Sequence, residues 1–310
     1  PNIEDQESEY PVLYLYRRHL RDSGGPGRFR GGRSGELAYT VYDAPNDDLV
    51  GLFAGTGAEM PNGIGIAGGM PGNAIRIGRF LGTDVPERLA NGTPLPERLE
   101  DIGGDPEIMA SKHERGPIDS GDVWHHCWQA GGGYGDPLER NPERVREDVL
   151  RGLVSPEWAR KAYGVVLDAR IVVDPNATQS LREEIVHQRL SGWEEHDSVS
   201  ASEERATAGT GEARDRKGYP LSENLRAIPS SHGPEIRCQR CDHGISRDGQ
   251  PWKDHAVVIR SPLTRAGPAR SPSGRFEMRL YLCPGCGRSL DAEVAKPGDP
   301  PLYDTISAPA

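Results

Sequence analysis

The sequence predicts a mixed α+β protein: a β-rich, glycine-laced first domain with a few short helices, and a small C-terminal module built around four cysteines. Three observations predict it. Glycine and proline number 39 and 27 among 310 residues, which favours turns and short elements over long helices. Apolar residues of the first part alternate in short runs, the period of a strand with one face buried. Four of the five cysteines fall in two tight pairs near the C-terminus.

Taken in order, residues 8–20 put Tyr10, Val12, Tyr14 and Tyr16 at alternate positions and predict a strand. The run Asp22 to Gly27 and then Gly31-Gly32 force turns. Residues 38–42 and 49–54 predict two further strands. Nine glycines between 55 and 82 exclude a stable helix, because each costs about 1 kcal/mol relative to alanine in a helix interior. That stretch predicts a loop followed by a strand over 74–80. Residues 107–112 and 122–129 predict a hairpin, with Val123, His125, Cys127 and Gln129 on one face of its second strand and Trp124, His126 and Trp128 on the other. After Gly131-Gly132-Gly133-Tyr134-Gly135-Asp136 the pattern becomes helical. Asn141 can cap a helix that has Pro142 at its first position and Gly152 past its end. Ser155, Pro156 and Gly164 repeat this for a helix over 157–163. A strand over 164–173 is expected next, and Asp174-Pro175 opens a third helix that runs to about Trp193. Residues 194–231 are polar and aperiodic, which predicts an extended linker. The expected division is therefore 1–193, a linker over 194–231, and a cysteine module with a proline-rich tail over 232–310.

Composition excludes several functions. The net charge of −10 and pI of about 5.5 oppose binding to nucleic acid or to an anionic membrane. No apolar run approaches the roughly 20 residues needed to span a bilayer, and the first residues lack the basic and apolar regions of a leader. Five cysteines, four of them in close pairs, fit metal binding in a reducing compartment better than a disulfide framework, so a cytoplasmic location is expected.

Cys238-Gln-Arg-Cys241 and Cys283-Pro-Gly-Cys286 are two C-x-x-C knuckles separated by residues 242–282. Two thiolates at that spacing curl onto one ion, and two such pairs give a tetrahedral all-cysteine site. Cys238, Cys241, Cys283 and Cys286 are thus the expected metal ligands, with zinc the expected ion. Strand-like runs over 255–259 and 276–282 make the module resemble a zinc ribbon, with Gly285 and Gly287 supplying the turn of the second knuckle. Four thiolates close the coordination shell, so the role expected is structural, and a small module of low apolar content needs such a staple. A redox dithiol and an iron–sulfur centre are the less favoured readings of the same spacing.

Other motifs fail on inspection. Gly63-x-Gly65-x-x-Gly68 matches a dinucleotide-binding pattern, but Gly69-Met70-Pro71-Gly72 leaves no helix for it to open. His125 and His126 are adjacent on a strand and face opposite ways, so a packed pair is expected rather than a metal site. Cys127, among tryptophans, reads as a small buried apolar residue. Asp136 reads as a turn cap, with contact to a ligand or neighbouring chain the alternative. No residue is assigned a catalytic or cofactor-binding role.

The segment from Arg21 to Gly32, with Arg21-Asp22-Ser23-Gly24-Gly25-Pro26-Gly27-Arg28-Phe29-Arg30, resembles a signature of the hydantoinase B/oxoprolinase family. Gly131-Gly132-Gly133-Tyr134-Gly135-Asp136-Pro137-Leu138-Glu139-Arg140 resembles its second signature, and Asp148 to Asp168 continues the match. The resemblance covers about residues 8–193 and concerns the C-terminal part of such proteins. Joined to a four-cysteine module, it resembles a small subunit of the acetophenone carboxylase type. The resemblance implies a ligase, an ATP-dependent carboxylase that joins bicarbonate to an aromatic ketone. It implies a hetero-oligomer in which a hydantoinase A-like ATP-dependent subunit and a subunit supplying the hydantoinase B-like N-terminal part are partners. ATP and a further metal are then expected on those partners, and this chain would be a non-autonomous subunit that completes a split fold without a complete active site. Arg28, Arg30 and Asp136, set in the glycine-rich signatures, are the expected contacts with the partner's active site. Two alternatives are a subunit of an ATP-dependent hydantoinase or 5-oxoprolinase-type amidohydrolase, and a zinc-ribbon adaptor with no enzymatic role.

Overall fold

The computed structural model of the chain describes residues 2–44, 49–51, 55–109, 116–191, 218–268 and 274–304. Its first part runs α1 (Ile3–Glu9), β1 (Val12–His19), β2 (Gly35–Val41), β3 (Val50–Gly51), β4 (Arg76–Leu81), α2 (Val85–Asn91), β5 (Asp105–Ile108), β6 (Gly116–Pro117) and β7 (Val123–Cys127). Five strands form an antiparallel sheet in the order β1-β2-β7-β4-β5, and β3 pairs with β6. Both faces of the central strand β7 are covered, because Val123 packs with Ala38, Val85 and Ile102 while Trp124 packs with Val41, Ile77 and Met109. The alternation read from the sequence is thus correct in its faces, and each face has its own core.

Three helices follow: α3 (Pro142–Leu150), α4 (Pro156–Tyr163) and α5 (Pro175–Ser191). The caps are those the sequence predicts. Asn141 accepts a hydrogen bond from the Glu143 N–H at 2.8 Å and Ser155 from the Trp158 N–H at 3.1 Å, while Gly164 closes α4 in the left-handed region at φ 60°. Between them Val145, Val149, Trp158, Ala159 and Tyr163 form a buried cluster.

The cysteine module contains β8 (Tyr219–Pro220), β9 (Leu225–Ile228), β10 (Glu235–Cys238), β11 (Gly244–Ser246), β12 (Val257–Pro262), β13 (Glu277–Leu282) and β14 (Ser289–Ala295). They build one antiparallel sheet in the order β11-β10-β9-β8 and another in the order β12-β13-β14. The tail after β14 is tied back, since Arg279 donates to the Lys296 and Asp299 carbonyls and Lys253 to that of Leu302.

Several expectations are corrected. Residues 8 and 9 close α1 rather than open a strand, and the Glu7 carboxylate accepts from the Tyr14 N–H at 2.8 Å, folding the helix against the edge strand β1. The expected hairpin of 107–112 with 122–129 does not form, because β4 lies between β5 and β7 and pairs with both; residues 110–115 lie outside the described residues. No strand forms over 164–173 beyond a Leu167–Val173 bridge. There the Asp168 carboxylate takes the N–H groups of Arg170 and Val172, each at 2.8 Å, into a turn that competes with a ladder. The strand expected over 49–54 is described only as Val50–Gly51, and 52–54 lie outside the described residues. Of the expected linker, 192–217 lie outside the described residues, as does Trp193. Its end is not a linker, because β9 pairs with β10 and buries Leu225 and Ala227.

What holds the first part to the helices is an interleaving of three glycine-rich segments, 23–32, 63–72 and 131–135. Their backbones bond directly: Gly25 N–H to the Gly131 carbonyl (2.9 Å), Met70 to Pro26 (2.7 Å), Gly133 to Met70 (2.9 Å) and Ile66 to Gly133 (2.9 Å). A Cβ on Gly132 would lie 1.9 Å from the Ile64 carbonyl oxygen, which cannot yield without breaking the ladder. Gly132→Ala is expected to destabilise the chain by at least about 3 kcal/mol, whereas Gly32→Ala, whose Cβ meets nothing within 4 Å, should be near neutral. Denaturant titration of the two variants checks this, and equal losses would refute the packing described.

Candidate metal centre

Each C-x-x-C pair sits in the turn of a hairpin. The first begins at the end of β10 and leads into β11; there the Cys238 N–H donates to the His243 carbonyl at 3.0 Å and the Asp242 N–H to that of Cys238 at 3.1 Å. The second joins β13 to β14, with the Cys283 N–H donating to the Arg288 carbonyl at 2.9 Å and the Gly287 N–H to that of Cys283 at 2.8 Å. The two turns are built alike. Asp242 (φ 62°) in one and Gly287 (φ 65°) in the other hold the same left-handed position, which aspartate tolerates better than most residues. Gly285 serves proximity rather than conformation, since a Cβ there would lie 2.8 Å from that of His243 in the other knuckle.

All four sulfurs lie within 4.8 Å of one another, with Cys238 to Cys286 at 3.9 Å and Cys241 to Cys283 at 3.6 Å. A tetrahedral ion with metal–sulfur bonds of about 2.3 Å needs sulfur–sulfur edges of about 3.8 Å. The cage therefore fits a metal ion such as zinc in both size and donor chemistry, and none of the four cysteines is in a disulfide. Hydrogen bonds from Cys241, Cys283 and Cys286 hold the Cys238 thiol below its ordinary value. Interaction with Cys238, Cys241 and Cys286 pushes Cys283 well above it. Four thiolates in this cage require a cation.

The cage is bolted to the first part of the chain. Asp136, 1% exposed, pairs with the Arg189 guanidinium on α5 at 2.7 and 3.1 Å and accepts from the Leu138 N–H at 3.0 Å. It also accepts from the N–H of Ser289, three residues past Cys286, at 2.8 Å, while Arg189 donates to the Gly287 carbonyl at 3.2 Å. Burial opposes the Asp136 charge, but Arg189 and the two backbone N–H groups outweigh it and hold the carboxyl below its ordinary value. Asn224 Nδ2 spans the same joint from the other side, donating to the carbonyls of Ala67 (2.5 Å), Ser289 (3.1 Å) and Leu290 (3.3 Å). Glu139 receives Arg240 at 3.2 Å and Arg288 at 2.7 Å.

The polar residues singled out from the sequence fall mostly into structural roles. Asp136 caps a turn as expected, but it is too buried to face a partner, and the expectation that it contacts a neighbouring active site is corrected. Arg30 is likewise engaged, with Asp148 at 3.1 and 3.2 Å, a carboxylate shared with Arg140 at 2.8 Å. Arg28 pairs with Glu223 of the cysteine module. His125 packs against Glu36 at 3.2 Å, and burial lowers His126 to about 4, so it stays neutral near neutral pH. Cys127 is 2% exposed with its thiol pushed up by burial. Residues 63–68 open no helix. Sequence reasoning missed Arg189, Ser289 and Asn224; only the pairing of an otherwise unexplained Asp136 with a basic residue of α5 could have pointed to the first.

Residues 1–137 match the hydantoinase B/oxoprolinase family model and residues 215–307 match that of the acetone carboxylase gamma subunit. The first part of the chain is thus a hydantoinase B/oxoprolinase-type segment, and the last part an acetone carboxylase gamma-type segment. The chain is similar to the acetophenone carboxylase delta subunit of Aromatoleum aromaticum, 31% identical over 277 residues that make up 86% of this chain and 35% of that one. It is similar to the caprolactamase subunit beta of Pseudomonas jessenii, 32% identical over 181 residues, 58% of this chain and 28% of that one. Among solved structures, nucleotide-free acetone carboxylase superposes with a TM-score of 0.54 at 27% identity, covering 64% of this chain and 27% of that one. The chain spans about a third of the length of the curated relatives it matches. Among the described residues, no helix is long and apolar enough to cross a membrane.

Proposed function

We propose that this chain is part of the hydantoinase B-like component of an ATP-dependent ketone carboxylase of the acetophenone carboxylase type. One observation carries the reading: a hydantoinase B-type segment and an acetone carboxylase gamma-type segment occur in one chain, joined through a buried ion pair. In this reading Cys238, Cys241, Cys283 and Cys286 hold a structural zinc, which fixes the two knuckles and, through Gly287 and Ser289, the seat of Asp136 and Arg189. A hydantoinase A-like subunit supplies ATP chemistry, and the remaining hydantoinase B-like part supplies further metal and substrate groups. This chain then acts by completing and orienting that fold in a non-autonomous role.

The amidohydrolase reading retains one support, the similarity to a caprolactamase subunit, which extends over 58% of the chain against 86% for the carboxylase subunit. The purified complex containing this chain, supplied with ATP and labelled bicarbonate, is expected to fix label into an aryl ketone and to leave lactams and hydantoins intact. ATP-dependent lactam or hydantoin hydrolysis without ketone carboxylation would replace the proposal with its rival.

A further inference from the structure

The glycine-rich core presents a surface that neither the five-stranded sheet, the helices nor the cysteine module covers. Tyr134 is bridged on one side to Phe29 in antiparallel fashion and on the other to Ile66 in parallel fashion. Bridge partners project to the same side of a ladder, so Phe29, Tyr134 and Ile66 stand side by side. The rings of Phe29 and Tyr134 lie 6.3 Å apart. These residues are 59%, 38% and 61% exposed, and Ile64, two positions upstream of Ile66, is 47% exposed. The backbone beneath is fixed by the Phe29–Tyr134 pair of 2.9 Å hydrogen bonds and by the Gly135 N–H to the Ile66 carbonyl at 3.0 Å. At the rim, the Arg28 guanidinium lies 4.9 Å over the Phe29 ring and pairs with Glu223.

A rigid apolar face with a charged rim is the anatomy of a protein interface, not of an ordinary surface. Rigidity matters here, because a platform whose backbone is already ordered loses little entropy on binding. The face is built from the three segments that also carry both family signatures. In the relatives this segment is only a third or less of a longer subunit: 35% of the acetophenone carboxylase delta subunit, 28% of the caprolactamase subunit and 27% of the acetone carboxylase chain. We infer that Phe29, Ile64, Ile66 and Tyr134 are the seat of the rest of the hydantoinase B-like fold, whether that part is carried on the same polypeptide or on another. The occupant is an apolar surface of that remainder, with a polar group placed to meet Arg28 and Glu223. This rests on the function proposed above and names the partner's docking site.

Hydroxyl-radical footprinting of the full chain, alone and in its purified complex, tests it together with the variant Phe29→Ser/Ile66→Ser. The expected result is that oxidation of Phe29, Ile66 and Tyr134 slows on the order of tenfold in the complex. The variant should keep the melting temperature of the isolated chain and bind the hydantoinase B-like partner on the order of 100-fold more weakly, as loss of central apolar anchors does. A complex that assembles with these residues still oxidised at the free rate, or with the variant fully retained, overturns the docking site and leaves the proposed function standing. An isolated chain that dimerises, and becomes monomeric in the variant, assigns the face to a second copy and overturns the stated occupant. A chain that recovers no hydantoinase-like partner at all sinks both this inference and the reading beneath it.

Discussion

Arg189→Ala is expected to destabilise the chain by about 3–5 kcal/mol, because it leaves the Asp136 carboxylate buried without its counterion. Both partners are almost fully buried, at 1% and 6% exposure, so solvent screening offers little relief. The substitution also releases the Gly287 carbonyl and so loosens the turn beyond Cys286. The pH dependence has a definite sign. In the unaltered chain Asp136 is held below its ordinary 3.8, so its contribution is complete above that value and is lost as pH falls below it toward the folded-state value. In the variant, burial acts without Arg189, and protonation of Asp136 relieves the unpaired anion. The stability gap between the two proteins should therefore narrow as pH falls. Urea titrations across pH 3–7 measure it; a gap below about 1 kcal/mol at neutral pH would mean that the joint is not held by this pair.

Removal of the metal is expected to have the larger effect on the module itself. Apparent binding energies of structural zinc in small cysteine sites are about 10–16 kcal/mol at neutral pH, and that energy is folding energy. Here Cys238 and Cys283 lie in one buried cluster with Leu225, Ile236, Trp252, Tyr281 and Leu290, so losing the cage exposes the apolar contacts around it. Chelation under denaturing conditions, followed by refolding without metal, should melt the β10–β11 hairpin and the turn of β13–β14. It should also free the Ser289 N–H from Asp136, coupling the loss into the first part of the chain. Metal analysis should find one ion per chain, and Cys286→Ser should reproduce the chelated state. A metal-free chain with unchanged near-ultraviolet circular dichroism and melting temperature would contradict the structural role.

These two sites differ in how far the sequence reveals them. The knuckles are legible because their chemistry is local: two cysteines three apart can only curl onto one centre, and the match of two such pairs leaves little freedom. The caps at Asn141 and Ser155 are legible for the same reason, since a cap bonds within three residues. Asp136 is legible as a turn former, yet its partner stands 53 positions away on α5, whose sequence has no feature that singles out Arg189. The glycine segments announce turns, but not that three of them would bond to one another, because backbone-to-backbone packing leaves no side-chain pattern to read. The strands of 219–228 escaped notice because they are short and lie among polar residues, their burial coming from β10 and not from their own periodicity. Asp168 shows the opposite error. An apolar run read as a strand was overruled by one carboxylate that captured two backbone N–H groups.

The central claim, that this chain works as the hydantoinase B-like part of an ATP-dependent ketone carboxylase, is tested most directly by its company. The tagged chain would be purified from its native host and the intact assembly weighed by native mass spectrometry, with each component identified by peptide sequencing. The account predicts a hetero-oligomer containing a hydantoinase A-like subunit, the remaining hydantoinase B-like part, and one zinc for each copy of this chain. A lone, stable chain, or an assembly without any hydantoinase A-like subunit, would contradict it.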